Sequence, residues 1–268
     1  DFERYVGENP DFHDILEIGD NLSDIFQATG KPERTQSSVS GGGAAWEGLV
    51  TWYLNLGLIG SRAVVVKHKK SLIPDPVAKA ITVNYGSFRS NTESDLIAIT
   101  FPKEPDIMED KKREELKFKN DIDNLCESHF EELEVGVIQC KTNWNDNAQI
   151  PMLWEMVYSS KGFEDGNITI GTGGFSMKDF RDFFYSFVTV PTTQNLNYTP
   201  DSTNVKRVQH LSGGNYWGKE TQDGVAQSIK EIFNGNFDYA FGAESQRKKV
   251  ESALKSDLDL SYFDIEPF

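Results

Sequence analysis

Gln139 and Lys141 stand two residues apart at the end of the apolar run VGVIQCK (135–141). In a strand, residues two apart share a face, so both point one way and Cys140 points the other, into packing. Neither an amide nor an ammonium belongs in a core without a partner. The plain alternative is a strand leaving the core, with Lys141 reaching water along its stem. Two acidic residues favour a shared site instead. Asp95 opens the most apolar strand of the chain, SDLIAITF (94–101). Glu47 lies in a helical stretch beside Trp46, with Val50 and Leu54 following at helical spacing. A charge flanked in this way is near the buried side and needs a partner or a metal. Two carboxylates, an amide and an amine are groups that would hold a hard cation through oxygen and keep a charged donor beside it.

The elements that must position these residues follow from periodicity. A polar break at SGGG (40–43) precedes a helix over 44–58, with Trp46, Leu49, Val50, Tyr53 and Leu54 at three- and four-residue steps. A helix also fits 12–28. SRAVVVKH (61–68) and AKAITVNYG (78–86) read as strands joined in a hairpin across Pro74–Asp75–Pro76. The strand at 94–101 is apolar at nearly every position, which predicts cover on both faces. A charged run follows and becomes a helix whose apolar face is Ile122, Leu125, Cys126, His129, Phe130 and Leu133. After the strand at 135–141 the pattern predicts a helix over 148–160, a strand over 166–171, a capped helix over 176–186 and a strand over 186–190. A long polar loop region over 192–220 and helices over 221–234 and 244–256 complete the chain. The expected class is α/β: a central mixed β-sheet flanked by helices, with a C-terminal part of loops and helices.

Composition narrows the function classes. The 268 residues are 38% hydrophobic and 12% aromatic, enough for a real core in one domain. No run is long and apolar enough for a membrane span. Two cysteines, Cys126 and Cys140, give no disulfide framework and fit a reducing compartment, read here as a bacterial cytoplasm. A net charge of −15 argues against nucleic-acid binding through bulk charge, while leaving room for a local basic cleft and for carboxylates that hold a divalent metal. His68 and His210 lack spaced Cys or His partners, so a zinc site is not expected.

The succession GAAWE, SDLIAI and VIQCK resembles the PD-(D/E)xK nuclease superfamily, in its type II restriction-endonuclease-like form with Gln at the acidic position. The resemblance spans about residues 40–190 and implies a restriction-endonuclease-like core of order α-β-β-β-α-β. Asp95 corresponds to the strand aspartate, Gln139 to the acidic position, Lys141 to the lysine and Glu47 to the helix glutamate. Ser94 stands where the family has proline, and the segment 102–134 is an inserted helical excursion. The resemblance implies a Mg²⁺ held by Asp95, Glu47 and the Cys140 backbone carbonyl, with Lys141 orienting or deprotonating the attacking water. It implies double-stranded DNA as substrate, cut at a short specific site by a homodimer whose two-fold symmetry matches a palindrome.

For DNA contacts, Asn143 and Asn145 are residue types that read base edges and Trp144 one that stacks, though Trp144 equally fits a buried position in a polar turn. Lys67 and Lys69 in KHKK, together with Lys206, Arg207 and His210, are the local basic patches. Asn215 and Tyr216 lie in SGGNYWG, a recognition loop or a packed one. A repair or nicking nuclease on the same core is the nearest variant. The rival from another class is a secreted, noncatalytic carbohydrate- or protein-binding module. It draws on the acidic charge, five Trp and glycosylation sequons at Asn21, Asn167 and Asn197, matches that chance also produces in so Asn- and Thr-rich a chain.

Overall fold

The structure, a computed structural model, describes residues 3–6, 12–28, 39–91, 94–103, 115–145, 168–191, 197–237 and 252. Its frame is a five-stranded mixed sheet built from β1 (Ala63–Lys67), β4 (Leu96–Thr100), β5 (Glu134–Lys141), β7 (Asp182–Thr189) and β8 (Tyr216–Gly218), in that spatial order. The first three strands are antiparallel neighbours, and β7 and β8 add in parallel. A separate three-stranded sheet joins β2 (Thr82–Tyr85), β3 (Phe88–Asn91) and β6 (Ile168–Ile170) in the order β3-β2-β6. The chain is therefore α/β, with a central mixed sheet and helices against it.

Period-two alternation sorts the central strands into two cores. Val65, Leu96, Ala98, Ile138, Cys140 and Val188 face α2 (Phe12–Ala28) and α3 (Val39–Gly57), packing with Leu22, Trp46, Val50 and Leu54. Ile97, Ile99, Val135 and Val137 face α4 (Asp75–Ala80) and α5 (Glu115–Ser128), packing with Val77, Ala80 and Cys126. A third cluster forms around Trp144, Phe187 and Tyr198 under α6 (Thr203–Leu211), which contributes Val205 and Val208.

Several sequence expectations change. The glycines of SGGG do not break the chain, because α3 runs through them from Val39. Gly42 is buried, and packing offsets the helix penalty of about 1 kcal/mol per glycine. The hairpin across Pro74–Asp75–Pro76 does not form. Pro76 lies in the first turn of α4, where its missing N–H costs nothing, and β2 leaves for the second sheet while β1 pairs with β4. The helix expected over 176–186 is one 3₁₀ turn at Met177–Asp179, capped by Ser176 Oγ accepting from Lys178 N–H, followed directly by β7. Its aromatics alternate instead of following a helical stripe: Phe183 and Tyr185 face one core, Phe184 the other. The polar region over 192–220 contains α6 and β8, and the expected helix over 221–234 reduces to a 3₁₀ turn at Ile229–Glu231 and α7 (Ile232–Asn236). The helices read at 148–160 and 244–256 lie outside the described residues, apart from residue 252, which is helical.

Two contacts bolt α3 onto the sheet. Asn55 donates to the Val65 carbonyl at 2.6 Å and accepts from the Val65 N–H at 2.9 Å, so an amide side chain satisfies the outer edge of β1. Trp46 Nε1 donates to the Val188 carbonyl at 3.2 Å. At the sheet centre, Gly136 lies opposite Phe184 in the β5–β7 pairing, and the Phe184 ring occupies the place a side chain would take. Gly136→Ala is expected to destabilise the fold by about 1–3 kcal/mol through overpacking, read by urea denaturation. Pairing it with Phe184→Leu should recover part of the loss.

Candidate active site at the edge of the central sheet

The β4–β5 ladder pairs Leu96 with Ile138, and one residue further along the same register Asp95 stands opposite Gln139. There the main-chain pairing gives way to a side chain. Cys140 N–H donates to Asp95 Oδ2 at 2.8 Å, and Lys141 Nζ approaches the same oxygen at 3.3 Å. A charge-assisted bond to a backbone N–H is worth about 1.5–3 kcal/mol, whereas a partly exposed ion pair gives at most about 1 kcal/mol. The amide therefore fixes the carboxylate, and Lys141 is held only loosely beside it. The sheet edge brings the strand aspartate and the lysine together as their types and spacing predicted.

Glu47 enters from α3, above the opposite face of the sheet. Lys67 Nζ lies 3.8 Å from Glu47 Oε2 and donates to the Ala44 carbonyl at 3.1 Å. Burial, and then the charge of Asp95, raise the Glu47 carboxyl above its ordinary value, while Lys67 and Lys141 pull it back. Glu47 thus feels the charge of Asp95. The N–H and C=O of a strand residue leave on the same side, so the Cys140 carbonyl faces the β4 side together with its amide. The Cys140 thiol is fully buried in the α3-side core and pushed well up by that burial.

Gln139 is buried, and its side chain hydrogen-bonds the Tyr185 phenol. Burial, and secondarily the charge of Asp95, push that phenol up to about 12. His68 completes the row. Its N–H donates to the Asp95 carbonyl at 3.0 Å, and its Nδ1 shares a hydrogen bond with Ser94 Oγ. Burial lowers the imidazole from its ordinary value, partly offset by Ser94 and Asp95. Sequence reasoning missed His68 and Tyr185 because it paired β1 with β2 and placed Tyr185 in a helix. Once β1 is laid antiparallel to β4, counting back from Val64 opposite Ile99 puts His68 beside Asp95.

The expected DNA contacts divide. Trp144 is enclosed, with Tyr198 and Tyr216 ring centroids at 6.3 and 6.0 Å, and as placed it offers no face to a base. Asn143 Oδ1 accepts from Tyr198 Oη at 3.1 Å and from Asn145 N–H at 3.2 Å. Asn145 Oδ1 accepts from Asn204 of α6. Both asparagines therefore tie the end of β5 to the third cluster. Asn215 is half-buried and accepts from the Phe187 N–H through its carbonyl, and Tyr216 is half-buried against Trp144. Lys67 is engaged with Glu47, whereas Lys69 is exposed.

The donor set suits a hard divalent cation. Mg²⁺ needs only one or two carboxylates, with waters completing its octahedron, and a cation beside Asp95 would offset the charge that raises the Glu47 carboxyl. Among the described residues no three His, Cys, Asp or Glu side chains gather in one cluster, so such an ion would lean on Glu47, Asp95 and main-chain oxygen. Among the described residues no helix is long and apolar enough to cross a membrane. No family model matches the chain, and neither a curated protein nor a solved structure matches it.

The burial of Trp144 yields a direct test. Trp144→Ala is expected to cost about 3–5 kcal/mol of stability in urea denaturation. A base-stacking Trp would leave stability unchanged, so an unaltered midpoint would contradict the packing role.

Proposed function

We propose that this protein is a Mg²⁺-dependent DNA endonuclease of PD-(D/E)xK type, acting as a homodimer on a short specific double-stranded site. The observation that carries the reading is the convergence of Asp95, Lys141 and the Cys140 amide at the ends of two central strands, with Glu47 delivered from α3. Supporting it are helix α3, three antiparallel strands and a fourth strand in parallel; α4, β2 and β3 come between β1 and β4, and the helix that the resemblance places before the fourth strand falls outside the described residues.

Asp95, Glu47 and the Cys140 carbonyl would hold the metal. Mg²⁺ bound there supplies neutralisation of charge developing on the phosphate and lowers the pKa of a coordinated water. The chain's own groups do the rest. Asp95, anchored by the Cys140 amide, sets the position of the site relative to the sheet. Lys141 is tethered weakly enough to move from the carboxylate toward a scissile phosphate, where its ammonium donates to the phosphate oxygens or its amine takes a proton from the attacking water. Gln139, held by Tyr185, supplies a neutral oxygen where a carboxylate would add charge, and Glu47 restores that missing charge. With a net charge of −15, contact with DNA must come from local cations such as Lys69 and the outer face of α6.

Incubating the protein with long unmethylated DNA, with Mg²⁺ or with chelator, should give discrete metal-dependent fragments. A metal-dependent smear would instead indicate a repair or nicking nuclease, and intact DNA under every condition would overturn the nuclease reading. Asp95→Ala and Lys141→Ala should each lower cleavage by about 10²-fold or more while DNA binding persists. Gln139→Glu should tighten metal binding without raising the rate. Normal cutting by either alanine variant would show that the site is misassigned.

A further inference from the structure

His68 lies at the sheet edge without a role in the reaction outlined above. It sits one residue past the end of β1, in a row of side chains running across three adjacent strands: His68, Asp95 and Gln139. Its main chain and its ring grip consecutive residues of β4. The N–H holds the Asp95 carbonyl at 3.0 Å, and Nδ1 holds the hydroxyl of Ser94, itself buried. The other ring nitrogen, Nε2, is buried with no hydrogen-bond partner among the described residues. Leaving such an atom unsatisfied costs about 1–3 kcal/mol, and an apolar ring of similar size would fill the space without that cost. Packing alone does not account for a histidine here.

Resting on the nuclease reading, we infer that His68 is a positioning residue for Asp95: by clamping Ser94 it fixes the two residues that lead into β4, and so the carboxylate that accepts from the Cys140 amide. Outer partners that orient a metal-holding group typically contribute about 10–100-fold to metal affinity or activity. The ring–hydroxyl bond is the part of the clamp that a side-chain change removes, since the main-chain bond to Asp95 survives any substitution except proline.

His68→Phe keeps a flat ring, somewhat larger than imidazole, and removes the bond to Ser94, while His68→Asn retains a group able to reach the hydroxyl. Two readouts test the clamp. Hydrogen exchange of the Cys140 amide reports directly on the Asp95 carboxylate, and Mn²⁺ titration by calorimetry reports on the site without DNA. In His68→Phe the Cys140 amide should exchange at least about tenfold faster, with the Val135 and Val137 amides of the same strand unchanged, and Mn²⁺ affinity should fall by about 10–100-fold. In His68→Asn both should return toward the wild-type values. Unchanged Cys140 exchange in His68→Phe, or equal loss of protection along all of β5, would overturn the inference. If the wild type neither binds Mn²⁺ nor cuts DNA, the nuclease reading fails on its own, and Cys140 exchange in His68→Phe still decides whether the clamp exists.

Discussion

A single carboxylate oxygen closes the gap where β4 and β5 stop pairing. Asp95 Oδ2 accepts from the Cys140 N–H just past the last ladder pair, so the most apolar strand of the chain begins with a side chain that takes up its neighbour's backbone donor. That substitution has two effects. It satisfies a buried donor that would otherwise cost about 1–3 kcal/mol. It also holds an ionised group at a fixed height on the sheet edge, within reach of Lys141. The second effect follows from the first, because the position of the acid is set by main-chain geometry and not by rotamer preference.

The rest of the fold brings other groups to that acid. Asn55 and Trp46 attach α3 at both sides of the sheet, to β1 through Val65 and to β7 through Val188. With those two attachments the start of the helix has no freedom to slide, and Glu47, one residue from Trp46, is held near Asp95. On the opposite face, Tyr185 holds Gln139 and His68 holds Ser94. The acidic surface of the protein thus has, at this edge, a compact mixture of signs in which each charge is partly buried and partly answered.

Much of this was legible in the sequence, and the failures share a cause. Asp95, Lys141 and Glu47 announced themselves as charges in apolar contexts, and Cys140 as a residue facing packing, because burial of a charge leaves a local signature. The α/β class followed from the strand-like apolar runs. What could not be read locally was pairing. Proline at 74 and 76 looks like a hairpin turn and is equally a helix start; only the burial of Val77 and Ala80 decides between them. The run FRDFFYS carries aromatics that satisfy either period, and β7 wins because two cores lie on either side of it. Asn143 and Trp144 look like recognition residues, but a third cluster forms over them from residues more than fifty positions away, such as Tyr198 and Val205.

None of the four pairings in the central sheet is a tight hairpin. A two-strand excursion separates β1 from β4, a stretch containing α5 separates β4 from β5, a longer one separates β5 from β7, and α6 lies between β7 and β8. Chains whose strand contacts are so distant in sequence fold slowly, because loop entropy is spent before any pair rewards it. Glu47, Asp95 and Lys141 sit on three elements that meet only when those distant pairings are complete. A nascent or partly folded chain therefore contains every one of these residues and none of their chemistry, so the appearance of the site marks the completion of folding.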